Sequence, residues 1–338
     1  MGLHSSIYPA LFILTVLSII LSCHEPADKG ISKLELAPEV NTKKVKPLSV
    51  DMSIQNNLIK TVNVLSEEIG SRDYLQSNAL DIAVDYISSE LRGYRYTVSY
   101  QPYEVQGKTY KNIFVEIKGV KTPEKILVVG AHYDTVAGTP GADDNASGIA
   151  GLLELARLLS DSPLSSTVQF AAFTLEEPPF FRTRHMGSYI YAGKLKKEGR
   201  NIEGMICLES IGYFTDTPGS QLFPLSLLKW IFPDKGNFIA FVSNLQSRDL
   251  LNRSKSAFKK ESALPVESLS TFSIVPGIDL SDHRSFWEFG YNAIMVTDTA
   301  FYRNPNYHGA GDTCDTIDYK RMTEVILGLK ATIEELAQ

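Results

Sequence analysis

Residues 131–148, AHYDTVAGTPGADDNASG, gather side chains that could bind metal ions directly after the apolar run ILVVG. Imidazole and carboxylate groups are ligands for zinc and related divalent ions. Acidic loops are more often simply solvated, and residues such as Asp143, Asp144 and Asn145 before a helix more often cap it through their side-chain oxygens. The composition of this loop alone leaves both interpretations open, so the position of the other acidic residues has to decide.

Three further apolar segments lead to the same kinds of side chain. TVQFAAFTLEE ends in Glu176 and Glu177, GMICLESIG contains Glu209, and NAIMVTD leads into a segment with His308. In open α/β sheets, ligands bind beyond the carboxyl ends of parallel strands. So many carboxylates at one edge would repel one another without a counter-charge. Two His and three carboxylates would suit two divalent ions that share one carboxylate, which indicates zinc, with cobalt or manganese as alternatives.

Helical and strand patterns alternate along the chain from about residue 52. Predicted helices span 52–69, 76–92, 147–160, 186–199, 247–260 and 319–337, and predicted strands span 94–105, 112–119, 125–134, 167–177, 204–212, 237–244 and 292–298. The first two strands form a predicted antiparallel hairpin joined around Gln106 and Gly107. The remaining alternation predicts a mainly parallel sheet covered by helices on both sides.

The motifs HYDT and GADDNASG, the Glu-Glu pair, and YHGAGDTCDTIDY resemble those of the M28 family of metallo-aminopeptidases, in matching order over about residues 50–338. The resemblance implies an α/β fold with three layers, αβα, around a central mixed, mostly parallel sheet. It also implies two Zn²⁺ per chain, with Co²⁺ or Mn²⁺ as alternatives. The implied activity is hydrolysis of the N-terminal peptide bond of peptides by a metal-bound hydroxide.

The same resemblance implies a ligand set. His132 would bind the first metal ion and Asp143 would bridge both ions. Glu177 and His308 would bind the second ion. Glu209 would take the place of the remaining carboxylate of the first ion, a position where the family often has the shorter Asp.

Two acids have implied roles in catalysis. Glu176 would be the general base, and Asp134 would orient the imidazole of His132, which lies two residues away on the same face of its strand. The family also has a cis peptide after the bridging Asp, which in this chain would join Asp143 to Asp144. Exchange of Glu176 for Gln is expected to keep both metals and lose nearly all turnover.

Substrate contacts are expected from three other residues. Asp282 and His283, in SDHRSF, are predicted to line the substrate pocket, and Tyr307 is predicted to contact substrate because it precedes His308. Segments 213–235 and 264–282 are expected to supply pocket walls. The sequence leaves the preferred side chain open, as well as the choice between release of single residues and of dipeptides.

Two other functions remain as alternatives. Related family members are glutaminyl-peptide cyclotransferases, which use a single zinc ion, but their residue after the bridging position is typically not acidic. Asp143-Asp144-Asn145 therefore follows the peptidase pattern. Some relatives keep the fold as non-catalytic binding modules and lose metal ligands, whereas every expected ligand is present here.

The amino-terminal region predicts export from the cytoplasm. Residues 10–22 form a short apolar run followed by Cys23, which resembles a bacterial lipobox. The predicted organisation is a lipoprotein-type signal peptide over 1–22, a flexible linker over 23–48 and a peptidase domain over 49–338. Lipid attachment at Cys23 would make the protein a membrane lipoprotein facing the periplasm or the exterior. An ordinary secretory signal or an uncleaved anchor is the alternative.

Composition excludes some classes of protein. The net charge of −6 offers no basic surplus for a general nucleic-acid binder. With 3 Cys in 338 residues, the fold does not rest on a disulfide framework. Peptides and a membrane, reached through the lipid anchor, are the expected partners, and the oligomeric state is not predicted.

Overall fold

An eight-stranded mixed sheet forms the middle layer of the computed structural model, which describes residues 49–338. The predicted signal peptide, the linker and Cys23 lie outside the described residues. The strands are β1 (Ser99–Val105), β2 (Lys108–Ile117), β3 (Thr122–His132), β4 (Ser166–Phe173), β5 (Asn201–Glu209), β6 (Ile239–Asn244), β7 (Val266–Thr271) and β8 (Ala293–Thr297). Their order across the sheet is β1-β2-β4-β3-β5-β8-β6-β7.

Four neighbouring strands in the centre run parallel: β4, β3, β5 and β8. Their carboxyl ends therefore meet at one edge of the sheet. The hairpin of β1 and β2 is antiparallel, as predicted. Its two-residue loop puts Gln106 at φ 51° and Gly107 at φ 77°, the left-handed pair that matches the twist of a hairpin. Strand β7 pairs with β6 and was not predicted, because its sequence VESLST lacks an apolar run.

Helices cover both faces of the sheet, so the predicted three-layer fold is confirmed. The helices are α1 (Ser49–Asn63), which continues as a π-helical turn (Val64–Ile69), α2 (Ser77–Gly93), α3 (Gly148–Leu159), α4 (Gly187–Lys197), α5 (Arg248–Glu261), α6 (His283–Glu288) and α7 (Tyr319–Leu336). Leu127 and Val129 of β3 face the core with α1, α2, α3, α5 and α7. Ile126 and Val128 face the opposite core with α4 and α6. This alternation follows from the two-residue period of a strand.

Helix α3 begins directly after the acidic turn Ala142–Ser147. Its residues are almost all buried, as its nearly continuous apolar sequence predicts. Gly148, its first residue, allows the close approach, because a Cβ there would lie 2.2 Å from Oδ1 of Asn145 and 2.7 Å from the carbonyl oxygen of Leu208. Among residues 49–338, no helix has both the length and the apolar composition needed to cross a bilayer.

Candidate metal centre and active site

The carboxyl ends of the central strands bring the predicted ligands together. His132 is the last residue of β3 and Glu209 the last of β5. Glu176 and Glu177 lie in the loop after β4, which ends earlier than predicted, at Phe173. His308 comes from the long loop after β8 and is the least buried of the group.

Left-handed backbone conformations occur beside three of these ligands. Leu175 precedes the Glu pair with φ 59°, Ser210 follows Glu209 with φ 47°, and His308 itself has φ 56°. Non-glycine residues adopt this region at an energetic cost and are enriched at active sites. The surrounding structure therefore maintains sharp turns that present side chains at the sheet edge.

Asp144 lies between the two imidazoles. Its Oδ1 is 3.3 Å from Nε2 of His132, and its Oδ2 is 3.1 Å from Nε2 of His308. Oε2 of Glu209 lies 3.2 Å from Nε2 of His132, and Oε2 of Glu177 lies 3.3 Å from Nε2 of His308. The result is two sets of three ligand atoms that share Asp144.

The donor atoms of these residues fit divalent metal ions. Nε2 of His132, both carboxylate oxygens of Asp144 and Oε1 of Glu177 are buried and have no hydrogen-bond partner in the described part of the chain. Buried polar atoms are rarely left unpaired. Two ligands about 2.05 Å from a tetrahedral zinc ion lie about 3.3 Å apart, close to the separations between these donors. Imidazole and carboxylate ligands without a thiolate suit zinc and related ions.

Several groups of the metal-free site have raised pKa values and therefore retain protons more readily than usual, as expected where buried carboxylates lie close together. Burial, helped by the charge of Asp144, raises the pKa of Glu177 to about 8. Burial raises the pKa of Glu176 well above its usual range; the charge of His132 opposes this shift, and those of Glu177 and Glu209 add to it. Burial lowers the pKa of His132, but the surrounding carboxylates, with Glu209 and Glu176 first among them, together raise it well above its usual range. Bound cations would remove the need for these protons.

The prediction that Asp143 bridges the two ions is wrong in this geometry. Its carboxylate points away from both imidazoles and accepts hydrogen bonds from the backbone N–H of Gly212 and from Nδ2 of Asn304, each at 3.0 Å. The cis peptide likewise joins Asp144 to Asn145, one bond later than expected. The turn Ala142–Ser147 directs adjacent side chains to different sides, which a sequence motif does not reveal.

Asp134 contacts His132 mainly through its backbone. Nδ1 of His132 lies 3.1 Å from the carbonyl oxygen of Asp134 and 3.6 Å from its carboxylate. Because a carbonyl only accepts, Nδ1 carries the proton and Nε2 is left to bind a metal. The carboxylate of Asp134 accepts the backbone N–H groups of Glu176 and Glu177, at 3.2 and 3.1 Å. Asp134 therefore positions the Glu pair as well as the imidazole.

The prediction that Asp282 and His283 line the substrate pocket is wrong for the apolar pocket beside the ligand cluster, whose lining includes neither residue. Both side chains are fully buried. Nε2 of His283 donates to the carbonyl oxygen of Ile278 at 2.6 Å, and burial lowers the pKa of this imidazole to about 4. Its ring packs edge-on against Trp287. His283 starts α6 and packs it against the sheet. The carboxylate of Asp282 is buried near the ligand cluster: burial raises its pKa to about 7, and the charge of His132 acts in the opposite direction.

Two functional neighbours were missed at the sequence level. Ser281 donates a 2.7 Å hydrogen bond to Oε2 of Glu209, the oxygen that faces His132. The carboxylate of Asp312 accepts hydrogen bonds from the backbone N–H groups of Asp143 and Asp144. Ser281 lies in SDHRSF and Asp312 in YHGAGDT, so both belong to segments already singled out, but neither motif shows which atom they contact.

A buried arginine under the acidic loop was also missed. The guanidinium of Arg72 is fully buried and donates to five backbone carbonyl oxygens, including those of Tyr133, Pro140 and Gly141. Burial lowers its pKa to about 10, and nearby acids such as Asp312 act in the opposite direction. Arg72 thus fixes both ends of the loop between His132 and Asp144.

A largely apolar pocket opens beside the ligand cluster. Glu209 and Tyr307 lie at its border, and Tyr307 stacks on the ring of His308 with centroids 3.9 Å apart. Segments 221–232 and 276–280 form two of its walls, within the regions expected to do so. Apolar side chains that line it include Leu228, Phe232, Phe238, Ala240, Ile278 and Met295. No Lys or Arg of residues 49–338 is among the lining residues.

Comparison with known proteins identifies similar chains. A family model described as peptidase family M28 matches residues 112–332. An uncharacterized protein, YfbL, of Escherichia coli (strain K12) is 41% identical over 280 residues, which cover 80% of this chain and 85% of that protein. A probable zinc metalloprotease of Leptosphaeria maculans is 26% identical over 347 residues, which cover 91% of this chain and 79% of that protein.

Solved structures share the fold. A zinc aminopeptidase from Bacillus subtilis, BSAP, superposes with a TM-score of 0.66 at 18% identity, covering 82% of this chain and 94% of that one. A glutaminyl cyclase of Porphyromonas gingivalis superposes with a TM-score of 0.61 at 18% identity, covering 83% and 97%. The fold is thus common to an aminopeptidase and a cyclase, and the residues at the site have to separate these activities.

Proposed function

The chain belongs to peptidase family M28, a zinc peptidase family, and on that premise we propose that it is an exopeptidase that hydrolyses the N-terminal peptide bond of peptides with two zinc ions per chain. The observation that carries the proposal is the pair of ligand sets that share Asp144. His132 and Glu209 would hold one ion, and Glu177 and His308 the other. Because the shared carboxylate is Asp144, the residue that follows it is Asn145, which is not acidic, so the sequence pattern does not argue against a cyclotransferase. Two adjacent cation positions favour a hydrolase over a single-zinc cyclotransferase.

The proposed general base is Glu176. Bound zinc ions would acidify a water molecule and polarise the scissile carbonyl group. Oε2 of Glu176 lies 3.9 Å from Nε2 of His132, and Glu176 belongs to neither of the two ligand sets that share Asp144. Its backbone is held by Asp134, so the carboxylate stays beside the position where the scissile bond would lie. It is suited to accept a proton from the attacking water and to return it to the leaving amine.

Substrate selection would come from the apolar pocket and the acids at its mouth. A peptide whose first carbonyl reaches the ligand cluster can place its first side chain in the pocket beyond Glu209 and Tyr307. Burial of a large apolar side chain there would contribute favourably in proportion to its area. The positively charged α-amino group would lie among the carboxylates, where an acylated amino terminus has no charge to offer.

A side-by-side assay tests this function. Zinc-loaded protein is expected to release p-nitroaniline from Leu-p-nitroanilide and to leave N-acetyl-Leu-p-nitroanilide intact. A chelator that removes zinc should abolish this activity. A peptide with N-terminal Gln is followed in the same experiment by mass spectrometry. If that peptide loses ammonia, and neither it nor Leu-p-nitroanilide is hydrolysed, the result contradicts the peptidase and favours the cyclotransferase.

Anchoring in a bacterial membrane is the proposed location. The support is the apolar run over residues 10–22 and the Cys at position 23. Exchange of Cys23 for Ser is expected to move the full-length protein from the membrane fraction to the soluble fraction. Continued membrane attachment of that variant would contradict lipid attachment at Cys23.

A further inference from the structure

Asp312 contacts the turn that carries Asp144 at three consecutive residues. Its backbone carbonyl accepts the N–H of Ala142 at 3.1 Å. Its Oδ1 accepts the N–H of Asp143 at 2.9 Å, and its Oδ2 accepts the N–H of Asp144 at 3.1 Å. The side chain is almost fully buried. Asp312 thus accepts hydrogen bonds from the backbone N–H groups of three consecutive residues and contacts neither imidazole.

The same arrangement occurs a second time in the site. Asp134 follows His132 by two residues and accepts the two N–H groups of the Glu pair. Asp312 follows His308 by four residues and accepts the two N–H groups of Asp143 and Asp144. Each imidazole segment therefore carries an aspartate that holds the backbone of a neighbouring acidic pair. Because two side chains of an adjacent pair point in different directions, the backbone position decides which carboxylate faces the imidazoles.

We propose that Asp312 is a positioning residue that keeps the carboxylate of Asp144 between His132 and His308. With the turn amides paired to Asp312, both oxygens of Asp144 remain without hydrogen bonds and are available to cations. Asp312 also links the segment that carries His308 to the segment that follows His132. It lies on the first segment and accepts hydrogen bonds from backbone N–H groups of the second. The proposal rests on the proposed function to the extent that Asp144 binds metal.

Exchange of Asp312 for Asn tests this role. The amide keeps one acceptor oxygen and places an NH₂ group against the other backbone N–H, so one of the two contacts is lost while side-chain volume is kept. Changes to groups that orient metal ligands typically weaken metal binding by about 10–100-fold. We expect a loss of this size for zinc, measured by competition with a chromophoric chelator. We also expect weaker magnetic coupling between two Mn²⁺ ions in electron paramagnetic resonance, because that coupling passes through the shared carboxylate.

The matched control is Asp315→Asn, which removes the same charge from the same loop. Asp315 is exposed and accepts a hydrogen bond from Thr313, so zinc affinity and Mn²⁺ coupling should match the wild type. Circular dichroism of the metal-free proteins separates positioning from folding. Should Asp312→Asn not fold, Asp312→Glu, which keeps the charge at a longer reach, is measured in its place.

The outcomes separate this proposal from the proposed function. A folded Asp312 variant with weaker zinc binding and weaker coupling supports the positioning role. Wild-type affinity and coupling in the variant overturn it, and so does unfolding of both variants, which would make Asp312 purely structural. If the wild type itself binds fewer than two zinc ions, the two-zinc function fails, whereas the affinity comparison still decides the role of Asp312.

Discussion

Exchange of Asp144 for Asn is expected to remove zinc from the protein, whereas the same exchange at the adjacent Asp143 is expected to leave zinc bound. The two variants differ by one position and make the same chemical change. Asp144 has one oxygen toward each imidazole, at 3.3 and 3.1 Å. Asp143 instead accepts hydrogen bonds from Gly212 and Asn304.

The expected magnitudes follow from these contacts. Two unit charges about 4 Å apart, at an effective dielectric constant of about 20, interact by about 4 kcal/mol. Asp144 would lie closer than this to a divalent ion, so its exchange should cost at least about 4 kcal/mol. That corresponds to about a thousandfold weaker binding. In Asp143→Asn, the amide oxygen can accept from one donor, and the other donor loses its acceptor in a buried site. This change should lower the free energy of unfolding by about 1–3 kcal/mol without loss of metal.

Three measurements test these expectations. They are zinc content after dialysis, zinc affinity by competition with a chelator, and urea unfolding of the metal-free proteins. Asp144→Asn should retain less than one zinc per chain and unfold like the metal-free wild type. Asp143→Asn should retain full zinc and unfold at lower urea. The reverse result, zinc lost in Asp143→Asn and kept in Asp144→Asn, would refute the assignment of the bridging carboxylate.

The remaining predictions concern catalysis, specificity and pH. Glu176→Gln should keep its zinc and lose about 10²–10⁴-fold in kcat, and near-normal turnover would remove Glu176 from the role of base. Ala240→Leu should narrow the pocket and lower kcat/KM for Phe substrates about 10–200-fold more than for Ala substrates, whereas an equal loss for both would argue against this pocket. In the metal-free protein, burial lowers the pKa of His308, but Asp144 and Glu177 raise it from 6.5 to about 10. Burial and Asp144 raise the pKa of Glu177 from 4.5 to about 8. Because both folded-state pKa values are raised, their contribution to stability is complete at low pH and is lost as pH rises from about 5 to about 10. The Tm of the metal-free protein should therefore fall over this range while zinc affinity rises, and a Tm that increases from pH 5 to 9 would contradict the protonation assigned here.

Sequence patterns were sufficient for a mainly parallel sheet covered by helices on both sides, for the first hairpin and for the edge that carries the site, but not for the order of the strands. Apolar runs such as KILVVGAH and NAIMVTD are long enough to mark buried strands, and buried strands in alternation with helices leave little choice of architecture. Strand ends and the loops after them marked a group of candidates, and the resemblance to the M28 family selected the ligands among them: His132, Glu177, Glu209 and His308. Strand β7 was not predicted because four of the six residues in VESLST are polar, which is typical of a loop.

The choice between adjacent side chains could not be made from sequence. Asp143 and Asp144 have the same chemistry, and only the backbone of the turn Ala142–Ser147 decides which one faces the imidazoles. Asp282 and His283 resemble site residues by type, but their position at the start of α6 buries them against the sheet. The contribution of Asp312 is a set of hydrogen bonds to backbone amides 168–170 residues away in sequence, which a linear motif does not encode.

A crystal structure of the zinc-loaded protein, with anomalous scattering measured on both sides of the zinc absorption edge, would show directly whether Asp144 bridges two zinc ions. Two zinc peaks are expected, about 3.5–4 Å apart. Asp144 should bind both ions, His132 and Glu209 the first, and Glu177 and His308 the second. A single zinc peak, or two peaks bridged by Asp143, would contradict this arrangement.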